Sequence, residues 1–400
     1  MIPQLISNGP RRASTTFRNL ARRSLLPIIL FAAAKLASPL SAQQLGIVDT
    51  VCDVDLATCM DGIQGLRGAR GIVVSPDGLH AYVASSLDNA LIAFSFGPSS
   101  RTLNHLQTLF DTDAGVDGLD SARGVAISPD GAHVYVAALL DASVATFSRD
   151  SVTGMLTFVE IDRDGVWGVD GLAGAEGVAV SPDGAHVYGA GETDNAVAVF
   201  ARETDSGSPS FGRLTYVETQ FDGVGGVDGL HGAGALAFDP TGTHLYVASL
   251  RGNLGGIEGD DWLAAFARNP TTGALSFVQG LDEMDFDIFT GCTGVGNENS
   301  GVAVSPDGQA VFLTNPFFGT VAWFDRNPTT GVLTLADSVC DLNFGTDGIA
   351  GAAAVTVTPD GQSLLTASPA FQTLAVLQDL EIFLDGFESG DTSAWSATQP

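Results

Sequence analysis

One stretch recurs along this chain: Gly177-Val-Ala-Val-Ser-Pro-Asp-Gly-Ala-His-Val-Tyr188. Gly71 to Tyr82 and Gly124 to Tyr135 read almost the same. Weaker copies lie at Ala235 to Tyr246, Gly301 to Phe312 and Ala354 to Leu365. The tetrapeptide anchors begin at Ser75, Ser128, Ser181, Asp239, Ser305 and Thr358, spaced 53, 53, 58, 66 and 53 residues apart. A period of about 50 residues means one supersecondary unit repeated in tandem, and it decides the fold before any local propensity is weighed.

Residues 177 to 218 divide into four short strands. Gly177-Val-Ala-Val and His186-Val-Tyr-Gly-Ala190 flank the Ser-Pro-Asp-Gly turn, where Pro fixes φ and Gly accepts a positive φ. Asp194-Asn195 turns the chain into Ala196-Val-Ala-Val-Phe200, and a Gly-containing loop leads to Leu214-Thr-Tyr-Val-Glu218. Short β-branched and aromatic runs bounded by turn residues are strand signals. Four antiparallel strands per unit, repeated, build an all-β propeller whose radial array leaves only short edges. The last unit offers three strands, starting at Ala354, Ser363 and Thr373. A spare strand, Leu45-Gly-Ile-Val-Asp-Thr-Val51, is followed by Cys52-Asp53, just as Leu333 to Val339 is followed by Cys340-Asp341. The expectation is therefore a single propeller over 45–378 with six four-stranded blades, closed by residues 45–51. Residues 1–42 are expected to be a signal peptide and 379–400 a C-terminal tail.

The unit typified by Gly124-Val-Ala-Ile-Ser-Pro-Asp-Gly-Ala-His-Val-Tyr-Val-Ala137, with Phe147 and Thr153-Gly-Met-Leu-Thr-Phe158, resembles the lactonase-like, or YVTN-type, β-propeller family. The resemblance covers residues 45–378. It implies a propeller, seven-bladed in the family's enzymes against six anchors here, and an exported bacterial member. Its members include sugar-lactone hydrolases such as 6-phosphogluconolactonase, muconate-type cycloisomerases and exported proteins of other roles. It also implies polar site residues at the mouth of the central channel. The tail, Phe383-Leu-Asp-Gly-Phe-Glu-Ser-Gly-Asp-Thr-Ser-Ala-Trp-Ser396, resembles one that recurs at the end of exported bacterial proteins.

Charge narrows the choice of partner. Lys and Arg number 17 against 46 Asp and Glu. Arg11, Arg12, Arg18, Arg22, Arg23 and Lys35 precede Gln43, in a stretch without acids. The remainder therefore balances 11 basic against 46 acidic residues, a net −35. Such a surface repels nucleic acid and anionic membranes and suits solubility or cation binding. Arg22-Arg23 precede an apolar run, Ser24 to Ala34, and Leu40-Ser-Ala42 offers a cleavage site. This is the pattern of an export signal, too short to span a membrane. The expected location is the periplasm, cell surface or medium, as a monomer with no membrane span. An exported chain with four cysteines, Cys52, Cys59, Cys292 and Cys340, favours disulfides. Cys52 with Cys59 closes the shortest loop, which leaves Cys292 with Cys340; three pairings are open.

Subtracting what repeats leaves the chemistry. His80, His133, His186 and His244 share one register position and read as structural; only His105 and His231 fall outside it. Arg149, Arg202, Arg268 and Arg326 recur two residues after a strand phenylalanine and are expected to be solvated or paired with nearby acids. Three features survive. The first is the set of Asp-Gly pairs at Asp61, Asp117, Asp170, Asp228 and Asp347, in loops enriched with Asp111, Asp113, Asp162, Asp164 and Asp222. These carboxylates either cap turn N–H groups or offer oxygens to Ca2+. The second is the position five residues before each anchor: Arg70, Arg123, Glu176, Gly234, Ser300 and Ala353. There two guanidiniums can clamp an anion beside a carboxylate base. The alternative is that Arg70 and Arg123 pair with the Asp ring, and Glu176 with Arg123, to hold blades together. The third is a pair of long connections that suit ligand contact, 250–262 with Arg251, Glu258, Asp260 and Asp261, and 282–300 with Glu298, Asn299 and Ser300.

No nucleophile elbow, zinc-helix motif, phosphate loop or dinucleotide fingerprint occurs in the sequence. The leading expectation is an exported binding module that engages an extracellular protein or glycan through the mouth loops. The alternative is a lactone hydrolase acting on a lactone or sugar acid through Arg70, Arg123 and Glu176, with no cofactor required. A second alternative is a calcium-dependent surface protein.

Overall fold

The computed structural model describes residues 62–97, 102–249, 263–281, 301–315, 320–340, 354–357, 361, 363–368 and 373–378. Several expectations lie outside these residues: the signal peptide, the closing strand 45–51, the tail, Cys52, Cys59, Cys292, Asp61, Asp347, and the loop residues Arg251, Glu258, Asp260, Asp261, Glu298, Asn299 and Ser300. Cys340 is the last residue of a strand, and its side chain is not among those described.

The chain lays down sheets in order. The first blade holds β1 (Ala69–Val74), β2 (His80–Ser85), β3 (Ala90–Phe96) and β4 (Leu103–Phe110). The second holds β5 (Ala122–Ile127), β6 (His133–Ala138), β7 (Ser143–Arg149) and β8 (Leu156–Arg163). The third holds β9 (Ala175–Val180), β10 (His186–Gly191), β11 (Ala196–Arg202) and β12 (Leu214–Phe221). The fourth holds β13 (Ala233–Phe238), β14 (His244–Ser249), β15 (Leu263–Arg268) and β16 (Leu275–Leu281). The fifth holds β17 (Gly301–Val304), β18 (Ala310–Asn315), β19 (Thr320–Arg326) and β20 (Leu333–Cys340). The sixth holds β21 (Ala354–Val357), β22 (Ser363–Ser368) and β23 (Thr373–Gln378). Each sheet is an antiparallel meander, so six sheets stand among the described residues, five of four strands and one of three. No helix of the described residues is long and apolar enough to cross a membrane.

The first strands of successive blades adjoin in the order β1, β5, β9, β13, β17, β21 and form the inner ring. The second strand of the first four blades is buried along its whole length. These strands read as continuous apolar runs, such as His133-Val-Tyr-Val-Ala-Ala, because neighbouring blades cover both sheet faces. Apolar side chains interdigitate between blades: Tyr82, Leu91, Val134 and Phe147 across the first junction, Tyr246, Leu263, Val311 and Phe324 across the fourth.

The anchors work as local clamps. Ser75 Oγ accepts from His80 N at 3.0 Å and donates to Asp77 at 2.5 Å, while Gly78 supplies φ of 70°. In the fourth blade the two roles exchange. Asp239 stands where the first three blades and the fifth have Ser, accepts from His244 N at 2.6 Å and from the hydroxyl of Thr241.

Of the two expectations for the repeated arginines, solvation or pairing with nearby acids, the pairing is present, with acids of the neighbouring blade. The arginines are 5–8% exposed, and each reaches back into the preceding blade. Arg149 donates through Nε to Tyr82 Oη at 2.8 Å, and through Nη2 to Asp77 at 2.6 Å and His80 Nδ1 at 2.8 Å. Tyr82 in turn donates to Gly154 O at 2.9 Å, in the turn following Arg149. Arg202 makes the same set with Asp130, His133 and Tyr135, and Arg268 with Asp183, His186 and Tyr188. Arg326 does so with Asp239, His244 and Tyr246. A guanidinium only donates, so each histidine Nδ1 accepts and the ring is neutral, with its proton on Nε2. Burial first, then the adjacent arginine, pushes His133 down to about 4. Gly154 is required here: a Cβ would meet the His80 ring at 2.0 Å. Among the described residues four junctions carry this clasp, always on the face of the anchor turns.

Candidate active site

The meander places the starts of the inner strands, the loops between blades and the second-to-third-strand turns on the face opposite the clasps. There the inner strands carry a recurrent irregularity. Pairing skips one residue between Ala69 and Gly71 in β1, Ala122 and Gly124 in β5, Ala175 and Gly177 in β9, and Ala233 and Ala235 in β13. The extra residues are Arg70, Arg123, Glu176 and Gly234. Such bulges leave one residue outside the ladder and re-aim its side chain. In the first three blades a glycine follows the bulge and lets the strands close up. A Cβ on Gly71 would sit 2.3 Å from Arg123 O, and one on Gly177 2.0 Å from Gly234 O. Close approach of inner strands thus sets the three charged bulge residues side by side.

They form one group. Arg123 Nη1 donates to Glu176 Oε2 at 2.6 Å, and Arg70 Nη1 donates to Glu176 Oε1 at 3.0 Å. Exposure is graded, with side chains 53% exposed at Arg70, 22% at Arg123 and 12% at Glu176. Burial raises the Glu176 carboxyl above the ordinary glutamate range, against the pull of Arg123 and Arg70. Arg123 Nε is buried without a hydrogen-bond partner. The expected Arg123–Glu176 pairing is present. Arg70 pairs with Glu176, and not with the Asp ring, because the bulge turns it along the inner ring toward the third blade.

The Asp ring has another arrangement from the one expected. Asp111, Asp164 and Asp222 each accept the N–H eight residues on, from Leu119, Leu172 and Leu230, at 2.8–3.1 Å. Asp88, Asp141 and Asp194 in the second-to-third-strand turns accept from the N–H groups of Arg67, Asp120 and Ala173 at 2.8–2.9 Å. Turn capping therefore falls mainly to these acids, where a repeat of N–H donors needs acceptors. Of the Asp-Gly residues expected to cap or ligate, Asp117 pairs with Arg163 at 2.9 Å, and Asp228 accepts from Gly229 N at 3.1 Å. Two sets of carboxylates bring oxygens within 4.8 Å of one another, Asp111–Asp117–Asp141 and Asp164–Asp170–Asp194. That spacing suits a hard cation. In the first set Arg163 already bridges Asp117 and Asp141. His105 contacts Thr108 at 2.9 Å and stays apart from the Arg–Glu group.

Sequence reasoning passed over Trp167. It is 98% exposed in the loop between the second and third blades, at φ 55°, where the next blade's loop has Gly225. The signal was there in the register: Gly165-Val-Trp-Gly168 aligns with Gly223-Val-Gly-Gly226.

Residues 62–165 and 169–283, more than half of the chain, match the family described as lactonase, 7-bladed beta-propeller. The chain belongs to this family. It is 28% identical over 143 residues to a 6-phosphogluconolactonase of Bacillus subtilis (strain 168), covering 35% of this chain and 38% of that relative. A relative from Arthroderma benhamiae, named "Probable 6-phosphogluconolactonase", is 30% identical over 134 residues, with 32% of each covered. These matches span well under two thirds of either relative's length. A solved protein from Lactobacillus plantarum superposes with a TM-score of 0.60 at 17% identity, over 80% of this chain and 84% of its own, which is a likeness of fold. The family description gives seven blades, and six sheets stand among the residues described here.

Proposed function

We propose that the protein is a lactone hydrolase whose site is the Arg70–Glu176–Arg123 group. The observation that carries this reading is a buried carboxylate held between two guanidiniums on bulges at the starts of the inner strands, on the face opposite the clasps, where the channel mouth is expected. Family membership and the 6-phosphogluconolactonase relatives favour it over the binding-module reading, for which neither the geometry nor the comparisons supply a partner surface.

A lactone is a cyclic ester. In its hydrolysis a water oxygen bonds to the carbonyl carbon, one water proton passes to a base, and the carbonyl oxygen takes up negative charge. Collapse then breaks the bond between that carbon and the ring oxygen, which accepts the proton and leaves as a hydroxyl; the product is a hydroxy acid. Glu176 suits the base. Its raised carboxyl makes it a better proton acceptor once ionised, and each oxygen keeps lone-pair capacity beyond its one guanidinium bond. The guanidiniums of Arg70 and Arg123 suit the developing oxyanion.

The test is proton release from a panel of sugar and aromatic-acid lactones, with the uncatalysed rate subtracted, for the wild type and Glu176→Gln. Turnover that disappears in the variant supports the reading. No turnover above background by the wild type, or full turnover by the variant, refutes it.

A further inference from the structure

Resting on the lactonase reading, we propose that this site selects an uncharged sugar lactone and discriminates against a phosphorylated one. A sugar phosphate brings close to two negative charges, and proteins hold such a group with arginine, lysine or a helix N-terminus. The described residues include no helix and no lysine. Their nine arginines are all in ion pairs. On the mouth face Arg67 pairs with Asp88, Arg70 and Arg123 with Glu176, and Arg163 with Asp117 and Asp141. Arg149, Arg202, Arg268 and Arg326 are locked in the clasps of the opposite face, and Arg213 is bound to Glu160.

The surplus on the mouth face is negative. Asp113, Asp120, Asp164, Asp170, Asp194 and Asp228 have no ion pair among the described residues. Five of them accept instead from N–H donors: Phe110, Asn89, Leu172, Ala173 and Gly229. The density of carboxylates is felt locally. Burial, and then Asp141, Asp117 and Asp120, raise the Asp111 carboxyl; burial, Asp164 and Asp170 raise that of Asp194. A phosphate seated on Arg70 and Arg123 would compete with Glu176 for the two guanidiniums and set a dianion beside a buried carboxylate. An uncharged lactone makes no such demand. It leaves the Glu176 ion pairs in place and is indifferent to the surrounding field.

The experiment is steady-state hydrolysis of glucono-δ-lactone and its 6-phosphate by the full chain, across a range of ionic strength. Salt screens repulsion and attraction alike, so the slope reports the sign of the field that the substrate meets. The expected kcat/KM favours the uncharged lactone by about tenfold or more at low salt. The ratio narrows as salt rises, through faster turnover of the phosphorylated lactone alone. Equal or better turnover of the phosphorylated lactone, or a preference that salt leaves unchanged, overturns this inference and leaves the lactonase reading intact. No turnover of either substrate overturns this inference, and the lactonase reading falls with it only if the rest of the lactone panel, aromatic-acid lactones included, also gives none.

Discussion

The two faces of this propeller use arginine in opposite ways. On the anchor-turn face one arrangement is copied four times: Asp77, His80, Tyr82 and Arg149 recur as Asp130, His133, Tyr135 and Arg202, then twice more. On the mouth face the register position holds Arg70, Arg123, Glu176 and Gly234 in turn, and its single ion group never repeats. What repeats serves junctions, because every blade must solve the same packing problem. What departs from the repeat is free to serve a ligand. The junction between the fifth and sixth blades sharpens the point. Ala310 and Phe312 replace the histidine and tyrosine there, and the described contacts are apolar, through Phe312, Trp323 and Leu364.

The largest effect that tests this contrast falls on activity. Glu176→Gln is expected to lower lactone kcat/KM by about 10²–10⁴-fold, with the melting temperature nearly unchanged. The neutral side chain is tolerated because burial already disfavours the charge. Arg149→Ala reverses the pattern. Loss of the buried guanidinium strands Tyr82, His80 and Gly131 O, and denaturant titration should show a loss of about 3 kcal/mol with kcat retained.

Acid should act on the clasps next. His80, His133, His186 and His244 all lie below the ordinary 6.5, so the unfolded chain takes up their protons first as pH falls. Their share of stability is full above 6.5 and is lost toward the folded values, about 4 for His133. Asp130, Asp183 and Asp239 lie below 3.8, and their share is lost under that pH. Asp162 runs the other way. Burial and Glu160 raise it to about 7, so its cost sets in as pH rises from 3.8 to 7. Asp111, Asp194 and Glu176, also raised by burial, act in the same direction as Asp162, and against these four carboxyls the four histidines steepen the loss of melting temperature between pH 7 and 4. Arg149→Ala should flatten that slope. The smallest effect is expected at Trp167. Replacing it by Gly, the residue the next blade uses, removes a left-handed strain of about 1 kcal/mol and should raise stability by a little less, since Gly also loosens the unfolded chain.

The six anchors and the strand pattern of residues 177–218 were legible because turn chemistry and periodicity are local. The placement of Arg70, Arg123 and Glu176 at one level was legible from their common offset to the anchor. Their bulges were not, since a skipped pairing leaves no mark in composition. The clasp was legible only as a pairing with acids, because its partners lie 67 to 87 residues apart, one blade over. A trace existed all the same. The repeat with Ala310 and Phe312 in place of His and Tyr is followed by Asp379, not Arg, at the matching position. The loop acids were misassigned because Asp111, Asp164 and Asp222 act through N–H groups eight residues ahead, farther than a simple turn reaches.

The most direct test measures lactone turnover and thermal unfolding together on Glu176→Gln and Arg202→Ala. The expected result is a double dissociation: Glu176→Gln loses turnover and keeps its melting temperature, while Arg202→Ala loses several degrees and keeps kcat. If Glu176→Gln instead loses stability with turnover retained, the mouth group is one more structural tie between blades, and the division between the two faces fails.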